Sequence, residues 1–182
     1  MRITTIILVL VAFLSFAVLL VATLGVSVVL VAKTSFEKTD WKLKGMELYT
    51  LEYGEGGGGG ENLVAENTAH VSLGIKAAVR NSNTTRTKLP FKFSGGKFSA
   101  WVDAQPLGDG TLKEKPTKLG DSFAEVELTL DRAGLPQNHT KGLASFAEGK
   151  AVTLKVKLKS LKLWGLSIPV NKEFSSSTIR NV

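Results

Sequence analysis

The sequence predicts a mostly β protein: an antiparallel β-sandwich with one short helix, preceded by a single N-terminal transmembrane helix. Three observations predict it. The 30 residues Ile3–Ala32 contain no charge, Asn, Gln or Pro, and about 20 apolar residues suffice for a helix to cross a bilayer core. Beyond them apolar side chains recur at every second position, the period of a half-buried strand. Alternating rather than continuous apolar runs argue for an antiparallel sheet over a buried parallel one.

At about 1.5 Å per residue the apolar run would reach roughly 45 Å, enough to span with tilt. A cleavable signal peptide is the competing reading, because Ser15-Phe16-Ala17 resembles a small-x-small cleavage site. Signal apolar regions run only about 7–15 residues, however. The division expected is therefore an anchor over 1–33, a juxtamembrane linker over 34–39 and a β-sandwich over 40–182. Lys33, Lys38, Lys42 and Lys44 follow the run, and Arg2 alone precedes it. That bias favours a cytoplasmic domain. Two N-x-S/T sequons, at Asn83 and Asn138, are candidate glycosylation sites and point to the opposite side. The expected location is a membrane, single-pass, with the side of the domain left open.

Trp41–Tyr53 reads as a first strand. Trp41 belongs either to its core, which we favour, or to the membrane interface. Next comes Gly54-Glu55 with Gly56–Gly60, a flexible hairpin loop whose flanking Glu55 and Glu61 would repel phosphate. Val71–Val79, Phe98–Val102, Ala124–Leu130 and Val152–Leu158 alternate strictly, and Phe91–Phe93 and Ile168–Ser175 are weaker strands. After Leu158 the apolar positions move to Leu161 and Leu163, a change of parity that a β-bulge near Lys159-Ser160 would restore. Leu143, Phe146 and Ala147 have helical spacing, with Asn138 or Thr140 as N-cap and Gly149 as stop.

The chemistry available is narrow. The chain has 182 residues, no cysteine, and two histidines, His70 and His139. That composition removes disulfides, thiolate metal sites and cysteine nucleophiles together. No nucleophile elbow, zinc-protease helix, Walker loop or dinucleotide fingerprint is present. Glu125 and Glu127 share a strand face, where two carboxylates are far commoner as solvated side chains than as an acid–base pair. No catalytic residue, cofactor or metal is expected, and the reading is that of a non-enzyme.

The charge is more informative. The net charge is +7, and the region from Asn67 onward holds 18 Lys and Arg against 9 Asp and Glu. Lys155, Lys157 and Lys159 share one strand face, with Lys162 close by. This stripe is a candidate surface for an anionic lipid or an acidic protein partner. Its structural alternative is a solvated outer face on which lysines discourage aggregation. Trp101 has outward parity and is a candidate protein contact, while Trp164 is expected to pack at the end of the lysine strand. The stripe lacks interleaved aromatics, so nucleic acid is not an expected partner. The expected partners are the bilayer, through Ile3–Ala32, and an anionic lipid or protein.

The strand ending in Val79-Arg80-Asn81-Ser82-Asn83 resembles the strand and N-P-N turn of the late embryogenesis abundant group-two domain. That domain is also called the water stress and hypersensitive response domain. Ser82 stands where the family has proline. Leu107-Gly108 resembles the family's following turn, and the order of later elements, through Ile168-Pro169-Val170, is similar from about Asp40 to Ser177. A single N-terminal membrane segment resembles the family's membrane-anchored branch. The resemblance implies a sandwich akin to the fibronectin type III fold, no enzymatic activity, and a stress- or membrane-associated role. The function expected is thus a membrane-anchored binding or interaction protein. An accessory subunit of a membrane complex and a lipid-binding or lipid-transfer module are the alternatives.

Overall fold

The computed structural model describes residues 2–54, 68–81, 94–113, 123–163 and 165–179. They divide into two units, residues 1–36 and 37–182. The first is almost entirely α1, Arg2–Glu37. Its apolar stretch Ile6–Val31 is 26 residues long, with a mean hydropathy of 3.0 and none of it buried. By length and composition it can cross a membrane. Its hydroxyls are satisfied within the helix: Ser15 donates to the Val11 carbonyl at 2.8 Å and Ser27 to that of Thr23 at 2.8 Å. Such back-bonding leaves no orphaned polar group on an apolar surface. The helix runs on through Thr34, whose hydroxyl donates to the Leu30 carbonyl. Within 34–39, read from the sequence as a linker, α1 continues to Glu37 and β1 begins at Thr39.

The second unit is mostly β and antiparallel, as its alternation requires. Its strands are β1 (Thr39–Gly54), β2 (Thr68–Asn81), β3 (Gly95–Val102), β4 (Gln105–Lys113), β5 (Phe123–Pro136), β6 (Val152–Leu163) and β7 (Leu166–Ile179). All seven form one sheet in the order β1-β2-β5-β4-β3-β6-β7, curled like a half-barrel. The strands thus belong to a single curled sheet. Sheet twist and local bulges allow this, and register shifts interrupt the ladders at Leu43/Gly45, Ala69/Val71 and Leu158/Ser160 among others. The first and last strands of the order meet where Trp41 stacks on Phe174, with ring centroids 5.4 Å apart. Trp41 belongs to the core: it is 6% exposed, and its indole N–H donates to the Thr39 hydroxyl at 3.0 Å.

The inner face buries the alternating residues. Val71, Leu73, Ile75, Val126, Leu128, Leu130, Leu154, Val156 and Leu158 are all below 5% exposed. The parity change in β6 is the expected bulge. Lys97 pairs with Ser160 and Phe98 with Leu158, and β7 likewise skips Lys159. Leu161 is thereby returned to the core. Pro169 lies in β7, an edge of the order and beside the bulge, where proline is tolerated.

β4 was not expected. The resemblance placed a turn at Leu107-Gly108, but those residues lie inside β4, and Leu107 is fully buried. The turn is Asp103-Ala104, with φ of 47° and 67°, between the paired residues Val102 and Gln105. Two consecutive left-handed residues make a type I′ hairpin. Gly110 in β4 must lack a side chain, because a Cβ there would sit 2.4 Å from the Phe98 ring.

The expected helix is present. A 3-10 turn, Gln137–Thr140, leads into α2, Lys141–Ala147. Thr140 is the N-cap by position, but its hydroxyl donates to the Gln137 carbonyl instead of capping. At the other end Gly149, with φ +80°, donates its N–H to the Phe146 carbonyl, and Lys150 donates to that of Ser145. This is a Schellman stop. Leu143 and Phe146 are fully buried. Phe91–Phe93, Asn83, Trp164 and the run Gly56–Gly60 lie outside the described residues.

Candidate functional site

The outer face of the sheet is polar, and it holds the side chains singled out from the sequence. Lys155, Lys157 and Lys159 point outward from β6, as alternation demands. The structure brings them to different neighbours. Lys155 lies 2.7 Å from the Glu173 carboxylate, and its ammonium sits 5.8 Å from the centroid of Trp101. Trp101 is therefore half-buried, with Lys155 over its ring. Lys159, displaced by the bulge, donates to Asp109 at 2.7 Å. Lys157 and Lys162 have no ion pair among the described residues. The stripe is thus compensated at two of its four positions. Asn138 is exposed in the 3-10 turn.

Asp109 is the best-held carboxylate on this face. The Lys159 ammonium and the Ser99 hydroxyl, at 2.6 Å, both donate to its Oδ1. The Lys159 hydrogen bond and then that of Ser99 hold its carboxyl below the usual carboxylate range. A carboxylate so stabilised is a poor base, and Ser99 beside it is not an activated nucleophile.

Beyond Asp109 a shallow groove of about 580 Å³ crosses the face, lined among others by Tyr49, Lys97, Asp109, Thr111, Lys113 and Thr129. The Thr111 and Thr129 hydroxyls are 3.4 Å apart. Asp131, on the same wall, lies 2.7 Å from His70 Nε2. Tyr49 covers Gly74, where a Cβ would meet its hydroxyl at 2.4 Å. That hydroxyl lies 3.3 Å from Glu127 Oε1 and 3.4 Å from Glu47 Oε2. Partial burial and then the two carboxylates raise the Tyr49 pKa. Lys76 pairs with Glu47, whose hydrogen bond raises the ammonium pKa. Among the described residues no group of three or more His, Asp or Glu could hold a metal ion.

Lys97 and Lys113 were missed in the sequence. Lys97 stands on a short strand and Lys113 on the unrecognised β4, so neither belonged to a visible stripe. β3 lies between β4 and β6, which brings Lys97 opposite Ser160 and Lys113 level with Lys162, an arrangement that no local pattern encodes.

Fold and surface together define a class: a β-domain of one curled antiparallel sheet, behind an N-terminal apolar helix able to cross a membrane. No family model matches the chain, and no curated protein does. It is similar to a solved structure described as a crystal structure of a protein from Archaeoglobus fulgidus, at 11% identity and a TM-score of 0.28. That similarity covers 78% of this chain and 99% of the other.

Proposed function

We propose that the protein is a single-pass, membrane-anchored, non-enzymatic β-domain that acts by binding. The observation that carries this reading is the span Ile6–Val31, whose 26 residues have a mean hydropathy of 3.0 and are not buried. An unburied apolar helix of that length needs a covering, and a bilayer supplies it. The span is longer than the apolar region of a signal peptide, about 7–15 residues. Binding rather than catalysis is supported by the outer face, where Asp109, Asp131 and Glu173 are each already held by a cationic or hydrogen-bonding neighbour. Kinship with the late embryogenesis abundant group-two domains belongs to the same proposal, supported by the order of strands after one apolar segment.

Alkaline carbonate extraction of membranes, with mass spectrometry of the mature chain, tests the anchor. The expected result is an intact N-terminus retained in the pellet. A soluble protein beginning after Ala17 would identify a cleaved signal instead.

A further inference from the structure

The antiparallel order of the sheet defines two ends of the β-domain. The chain comes in at Thr39, so one end holds the starts of β1, β3, β5 and β7 and the finishes of β2, β4 and β6. The other end is covered by the 3-10 turn and α2, where Tyr53 on β1 lies 3.3 Å from Thr140. β7 confirms the assignment of its own start. It runs parallel to β1, Phe174 stacks on Trp41, and Lys172 donates to the Glu37 carbonyl at 3.0 Å. Leu166, eight residues before Phe174, therefore lies at the end where the chain comes in.

That end combines a cationic rim with an exposed apolar side chain. Lys97, Lys113 and Lys162 stand within three residues of their strand ends, and none has an ion pair among the described residues. Gly95 pairs with Lys162, and Lys162 pairs with Ser167, next to Leu166. Leu166 is 58% exposed. Among the described residues of the β-domain it is the one aliphatic side chain among the exposed large hydrophobics. At the opposite end exposed charges of both signs occur, Glu52, Asp103 and Glu148 with Lys141 and Lys150, and Glu148 is paired with Lys150 at 2.6 Å. An apolar side chain beside lysines that have no ion pair among the described residues matches a bilayer surface, where the apolar group enters the headgroup layer and the cations meet anionic lipid.

We propose that this rim docks on the anionic headgroups of the membrane that α1 crosses, with Leu166 entering the headgroup layer and Lys97, Lys113 and Lys162 contacting lipid phosphates. The proposal rests on the anchored reading above and adds a partner, anionic phospholipid, and an orientation of the β-domain toward it. The chain passes from α1 into β1 through Lys38 alone, so the rim is the end of the sheet tethered to the span.

The chain has no cysteine, so Leu166→Cys gives a single labelling site. The full chain carrying an environment-sensitive fluorophore there is reconstituted into phosphatidylcholine vesicles with or without phosphatidylserine, containing shallow nitroxide-labelled lipid. The proposal expects quenching that rises with phosphatidylserine and is released when salt shortens the Debye length to about 3 Å. It expects no such quenching at Ala133→Cys, on the opposite half of β5. Replacing Lys97, Lys113 and Lys162 by Ser should abolish the phosphatidylserine effect while the protein stays resistant to carbonate. Quenching at Leu166→Cys that ignores phosphatidylserine, or equals that at Ala133→Cys, overturns the proposal. Carbonate extraction reads the anchor separately. If the chain is released, the same labelled protein mixed with preformed vesicles still reads the rim.

Discussion

Asp109 shows how one side chain on a solvated face becomes fixed. Two donors converge on one oxygen, the Ser99 hydroxyl at 2.6 Å and the Lys159 ammonium at 2.7 Å. Ser99 is only 5% exposed, so its hydroxyl needs an acceptor within the protein. The carboxylate itself is 64% exposed, and solvent screens its ion pair. The contribution is therefore modest, about 0.5–1 kcal/mol. Its sign with pH follows from the lowered carboxyl pKa. The interaction is fully present above the ordinary value of 3.8 and is lost as pH falls through the lower folded value. Denaturant unfolding of the protein and of Asp109→Asn across acid pH checks this. The stability gap should be constant above the ordinary carboxylate range and should close below it. A gap that persists at the lowest pH would assign the effect to packing.

The elements that were legible in the sequence are those whose own residues carry the signal. Val71–Val79 and Val152–Leu158 alternate without a break, and the parity change at Leu161 placed the bulge near Lys159-Ser160, because a slip there would turn Leu161 outward. β4 was illegible for a physical reason. Its Pro106, Gly108 and Gly110 read as turn residues, yet each serves a strand position: Pro106 pairs with Trp101, and Gly110 makes room for the Phe98 ring. The true turn, Asp103-Ala104, lacks the glycine that usually marks a type I′ hairpin. Ala104 at φ +67° bears a left-handed cost of about 1–2 kcal/mol. Asp103 secures the turn from outside, since its carboxylate accepts the Thr153 N–H at 2.8 Å. Ala104→Gly should relieve the strain and, after its larger unfolded-state entropy, gain about 0.5–1 kcal/mol. A thermal melt should show a rise of roughly 2–4 °C. An unchanged or lower midpoint would mean that the hairpin does not depend on left-handed geometry at Ala104.

At the scale of the whole molecule, alternation tells which face of a strand is buried but not which strand lies beside it. β5 inserts between β2 and β4, and β6 pairs with β3, so Lys97, Lys159 and Asp109 become neighbours from three separate stretches of chain. Nor does alternation tell that the sheet curls until Trp41 meets Phe174. The apolar span and the alternating strands, by contrast, each carry their signal locally, because thirty residues without a charge admit one solvent and the alternating remainder admits another. The β-domain contains its own core, from Trp41 through Ile179, while Ile6–Val31 contributes nothing buried. Residues 34–182 alone should therefore unfold in a single cooperative transition, with a midpoint within about 3 °C of the full chain in detergent. Calorimetry on both is the measurement. A broad or absent transition in the shorter chain would show that the apolar helix supplies folding energy as well as a span. Retained cooperativity would show that the β-domain folds without the helix.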